Sequence, residues 1–109
     1  PKPPPEIRVG REEKDGEKLA IFNKAREMYE EMRKQWKEDP YSYYQNLSRL
    51  NEIMENLEKY ISLSPDSNQA LLAQWMLWQC FLQLPGKYNE AEEALIRYID
   101  MYLSAESKH

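Results

Sequence analysis

The sequence predicts an all-α domain of four helices stacked as antiparallel hairpins. Apolar residues recur at three- and four-residue steps in four separate stretches, the spacing of one face of a helix. Breaks containing Pro or Gly divide those stretches, at "EDPYSYY", "LSPDSNQ" and "LPGKY". The charge content is built mostly of Glu and Lys, with three Gly and a single valine, Val9, which favours helices over strands. At 109 residues the chain fits one domain with one modest core. The expected division is a Pro-rich extended or disordered tail over 1–11, a helical domain over 12–104 and a frayed C-terminus over 105–109.

The tail "PKPPPEIRVG" opens with four prolines in five residues, and proline fixes φ and lacks an N–H. It reads as a linker, as a polyproline ligand for another domain, or, through "EIRV", as an extended arm laid across the helices. The first helix is predicted from Glu12 or Glu17 to Lys37, with Leu19, Phe22, Ala25, Tyr29, Met32 and Trp36 on one stripe. Ten of the fifteen basic residues precede Pro40, but ten acidic residues do too, so this is a solvated face rather than a basic patch.

Asp39 before Pro40 reads as an N-cap with Pro at the first helical position, opening a second helix that continues to Leu63. Tyr43, Leu47, Leu50, Met54, Leu57 and Ile61 step by four and three, a heptad-like seam widened by Tyr44, Ile53 and Tyr60. This helix therefore touches two neighbours. The seam suits bundle packing within one chain, or pairing between chains. Pro65 stops it, and Asp66, Ser67 or Asn68 caps the third helix.

No charged side chain occurs between Asp66 and Lys87, in a chain that is 31% charged. The run is about as long as a membrane span, which needs ~20 apolar residues. However, Asn68, Gln69, Gln74, Gln79 and Gln83 would place five amides in hydrocarbon, which argues for a core helix instead. A helix without a charged face suits the central position, between helix 2 and helix 4. Pro85 and Gly86 make the last turn, and the fourth helix is predicted from Tyr88 to Leu103 through Tyr88, Ala91, Leu95, Tyr98 and Tyr102.

The stretch 72–103 resembles a tetratricopeptide repeat, a 34-residue helix–turn–helix unit. Trp75 takes the Trp position, Trp78 the Leu position and Ala91 the alanine of the second helix, followed by Leu95. The turn "GKYNEA" is similar to the family's G-x-Y-x-E-A turn. Gln79, Leu82 and Leu103 stand where the family carries a small residue, Tyr and Pro. Residues 50–65 resemble, more loosely, a second helix running into its closing proline. The resemblance implies a repeat-like arrangement of the last two helices, with Tyr88 packing the turn down. It further implies a scaffold for proteins or peptides whose groove is lined by the first helix of the pair. By position those partner-binding residues are Ala73, Met76, Leu77, Cys80, Gln83 and Leu84. Their apolar character suits a hydrophobic peptide or helix.

A formal charge of −4 without a basic face argues against nucleic acid as a partner. His109 is the only histidine and Cys80 the only cysteine, so no His-based triad, zinc site or disulfide framework fits. Three scattered glycines make no phosphate loop. The expectation is a non-enzymatic protein–protein interaction module without cofactor or membrane span. The alternative is a self-assembling subunit that buries helix 3 or the helix 2 seam in a homo-oligomer. A lone cysteine within an apolar run is compatible with a reducing compartment, and the expected location is intracellular, in the cytoplasm.

Overall fold

A computed structural model describes residues 2–42 and 47–108 of the chain. It is all-α, with α1 over Gly16–Glu38, α2 over Leu47–Leu63, α3 over Asn68–Gln83 and α4 over Tyr88–Ser107. No sheet forms among the described residues, where one isolated parallel bridge joins Arg11 and Ser67. No described helix is long and apolar enough to cross a membrane.

Each helix packs on the next in sequence, α1 also touches α3, and among the described residues neither α1 nor α2 reaches α4. The molecule measures 44 × 30 × 21 Å, and its shortest dimension is about two helix diameters. α2 lies between α1 and α3, and α3 between α2 and α4, which is why α2 carries a double apolar face and α3 no charged one.

Local chemistry sets the helix ends. Asp15 caps α1, its carboxylate accepting from the amides of Glu17 at 2.9 Å and Lys18 at 3.2 Å. Phe22, Ala25, Tyr29 and Met32 form its buried row. Ser67 caps α3, its hydroxyl oxygen accepting from the Ala70 amide at 3.0 Å. Gly86 takes φ +72, the left-handed conformation that lets the Pro85–Gly86 turn reverse the chain.

Two boundaries and one packing contact differ from the sequence expectation. Asp39 does open a turn, with its Oδ1 accepting from the Tyr41 amide at 3.1 Å and its carbonyl from the Ser42 amide at 3.0 Å. That turn is a single 3₁₀ turn over 40–42, and the described part of α2 begins only at Leu47. Tyr43 and Tyr44, assigned above to the seam, lie outside the described residues. α4 continues through Ser107 rather than ending at Leu103, because Ala105 still packs against the core. Tyr88 is 75% exposed instead of packing the turn down. As the first residue of α4 it points away, and Ala91 and Ala94 make the helix's buried face.

The core joins α1, α2 and α3 with one residue from outside the helices, Ile7. The seam is buried within the chain at Leu50, Met54 and Leu57, flanked by buried Ile53 and Tyr60.

Candidate peptide-binding groove between helices 1 and 3

The N-terminal segment is neither a loose tail nor a helix. It lies extended along the side where α1 meets α3, antiparallel to α3. At one end Lys2 bridges the two helices: its amide donates to Gln79 Oε1 at 3.2 Å, and its carbonyl accepts from the Tyr29 hydroxyl at 2.7 Å. At the other end the Asn68 side-chain amide donates to the carbonyls of Ile7 at 2.5 Å and Val9 at 2.8 Å. Asn68 and Gln79 are eleven residues apart, three helical turns, and so share one face of α3.

The alternation of the arm matches this placement. Ile7 is buried and Val9 half-buried, whereas Glu6 and Arg8 are exposed and pair with each other. Pro4 and Pro5 are half-buried. A proline-rich strand suits a place against a helix face because it has few N–H groups to leave unpaired. What it needs are donors for its carbonyls, and Tyr29 and Asn68 supply them. Burial raises the Tyr29 hydroxyl well above the ordinary phenol range, so it stays protonated and donates.

Beyond the strand, the arm is pinned by a denser cluster. The Arg11 guanidinium binds Asp66 through two atoms, Nε to Oδ2 at 3.1 Å and Nη2 to Oδ1 at 2.9 Å, and also donates to the Ser64 hydroxyl at 2.6 Å. Its backbone pairs with the α2–α3 turn, donating to Asp66 O at 3.1 Å and accepting from the Asn68 amide at 2.7 Å. Glu13 is buried. It accepts from Tyr60, Arg11 and the Asp15 amide, while its own amide donates to Gln69 Oε1 at 3.2 Å. The Ser64 hydroxyl, with the Tyr60 hydroxyl, the Asp15 amide and Arg11, holds the Glu13 carboxyl down at about 2 despite desolvation. Between cluster and strand sits Gly10 at φ +94, where a Cβ would come within 3.0 Å of the Asn68 amide nitrogen. Only glycine fits that approach.

The six residues that the repeat resemblance implied occupy a neighbouring flank of α3. Ala73, Met76, Leu77 and Cys80 are buried in the core cluster, while Gln83 and Leu84 are half-buried near the end of the helix. Burial pushes the Cys80 thiol up to about 12, away from a reactive thiolate. The residues that hold the arm, Tyr29, Asn68, Gln69 and Gln79, were not singled out as a site in the sequence. The available signal was chemical: amides in an uncharged helix and a carbonyl-rich, donor-poor tail in the same chain.

A second cleft, about 380 Å³, opens between α2 and α4 over Gln74 and is walled by Glu58, Glu90, Glu93 and Arg97. A third, about 560 Å³, lies beside Arg11 against Asp100, Met101 and Lys108 of the α4 end. Among the described residues no cluster of His, Cys, Asp or Glu is arranged to hold a metal ion. Comparison with protein-family models, with curated proteins and with solved structures finds no match for this chain.

Proposed function

We propose that the domain is a non-enzymatic protein–protein interaction module, a scaffold or adaptor, that receives an extended segment of a partner protein along α3. The observation that carries this reading is the arm itself, held on the α1–α3 side through its main chain by Tyr29, Asn68 and Gln79. A surface that grips the main-chain atoms of its own extended segment has the chemistry by which peptide sites hold a foreign strand, which supports the reading. The resemblance of 72–103 to a tetratricopeptide repeat likewise implies an interaction scaffold, although the groove residues it implies lie on a neighbouring flank of α3, four of them buried.

The test is selection of peptides from a displayed random library on the full chain, followed by amide-shift mapping of the selected peptides. Ligands that perturb residues around Tyr29, Asn68 and Gln79 are expected. Ligands that map only to α4, or a library that yields none, would sink the proposal.

A second reading, assembly with further copies, has one observation in its favour. Ile96, Ile99 and Leu103 are 51%, 45% and 58% exposed on α4, and their spacing puts them on one outward stripe. The helix 2 seam and most of α3 are buried within one chain, so the outer face of α4 is where such a contact would form. Light scattering over a wide dilution range distinguishes the two: Ile99→Lys lowers the mass only if the stripe joins copies.

A further inference from the structure

The arm makes two kinds of contact that differ in chemistry. From Arg11 to Glu13 it is fixed by paired charges and buried hydroxyls specific to those side chains. From Lys2 to Val9 its hydrogen bonds to the helices, among the described residues, use its main-chain atoms, two from Asn68, one from Tyr29 and one to Gln79, with Ile7 as the buried side chain. Gly10, with its positive φ, separates the two parts. A strand held by its backbone is replaceable by any extended chain that offers carbonyls at the same intervals, whereas the Arg11 cluster is not replaceable in that way.

We propose that residues 2–9 are a built-in competitor for the groove, lifting about Gly10 while Arg11 and Glu13 stay anchored. The segment that displaces them shares their chemistry: extended, proline-rich, and carrying aliphatic residues two positions apart where Ile7 and Val9 lie. The inference rests on the interaction-module reading and adds to it the partner's chemistry and a control on access. Tethering gives the arm a local concentration on the order of millimolar, so only a ligand that binds well, or a chain whose arm is weakened, shows occupancy from outside. Aliphatic spacing of two fits a strand and not a helix, which narrows the partner from hydrophobic peptides in general to extended ones.

The experiment uses the full chain and a fluorescent peptide with the sequence of residues 1–10. Ile7→Asp in the chain weakens the arm and leaves the groove side chains untouched. Anisotropy is expected to show at least tenfold tighter binding of the wild-type peptide to that variant than to the wild-type chain. A peptide carrying the same Ile7→Asp change is expected not to bind. If Ile7→Asp disturbs the fold, as helical circular dichroism would reveal, Pro4→Gly with Pro5→Gly weakens the arm entropically and is expected to give a smaller gain of the same sign. Equal affinity for wild-type and weakened chains would overturn the control on access while leaving the groove a peptide site. Failure of a folded, weakened chain to bind the peptide would overturn the inference altogether, and library ligands mapping to the groove would then show that the interaction-module reading stands without it. A wild-type dimer that falls to monomer mass on Ile7→Asp would overturn it in favour of arm exchange between copies.

Discussion

The Tyr60 hydroxyl donates to Oε1 of Glu13 across 3.1 Å and shares a 2.9 Å hydrogen bond with the hydroxyl of Ser67. One phenol thus ties the approach to α1, the far part of α2 and the cap of α3 into a single buried cluster. Tyr60→Phe removes both bonds at nearly constant volume and leaves a buried carboxylate oxygen short of a donor. The expected loss is ~1–3 kcal/mol, read as a lower urea midpoint with unchanged helical content. A midpoint equal to wild type would mean that this cluster does not contribute to stability.

Acid should weaken the same cluster. Glu13 is held at about 2, by the Ser64 hydroxyl foremost, and Asp66 is lowered by its hydrogen bond with Arg11. A carboxyl depressed in the folded state adds stability that is complete above its unfolded value, ~4.3 for Glu, and is lost as pH falls through the folded value. Urea midpoints should therefore decline from about pH 4.5 towards pH 2. Glu13→Gln should lower the neutral-pH midpoint and flatten that decline. A variant with the wild-type slope would assign the acid sensitivity elsewhere.

Ile7 is 8% exposed although it lies outside every helix. Ile7→Ala is expected to cost ~2–4 kcal/mol as a core truncation. Faster hydrogen exchange should appear around Tyr29 and Gln79 before it appears in α2. Uniform acceleration would show that the arm opens only with the whole fold.

Trp75→Ala should cost ~3–5 kcal/mol, since the indole is 9% exposed and packs edge-on to Trp78 with ring centres 6.3 Å apart. In a domain of this size that is a large share of the total. Melting only slightly below wild type would remove Trp75 from the core.

Gln74 gives a contrasting case. Its Nε2 donates to Ala94 O at 3.0 Å, but its buried Oε1 has no hydrogen-bond partner among the described residues. Gln74→Met keeps the shape and removes the unpaired acceptor, so stability should stay within ~1 kcal/mol of wild type or rise. A larger loss, measured by urea titration, would mean that the amide is satisfied in solution.

Helices were legible wherever their cause was local. The 3–4 spacing of Phe22, Ala25, Tyr29 and Met32 marks α1, and Pro65 followed by Asp66, Ser67 and Asn68 marks the start of α3, where Ser67 is the cap. Burial of α3 was legible too, because a helix without charges has no solvated face. The arm's position was not, because it depends on bonds spanning 27 to 77 residues, from Tyr29–Lys2 to Lys2–Gln79. Neither periodicity nor caps encode such pairings. The aliphatic alternation of Ile7 and Val9 is too short to name a partner. The α4 end was misjudged for a related reason: Ala105 is held by tertiary packing, and alanine gives no amphipathic signal.

The separation between the arm and its seat also orders events in time. Helices that pack on their sequence neighbours can form one after another as the chain leaves the ribosome. The arm is made before its seat, because Asn68 and Gln79 are joined on only some sixty to eighty residues later. Until then Ile7 and the proline-rich strand remain in solvent, open to any other protein that reads an extended backbone. A segment synthesised before its seat thus waits for α3 to find its place.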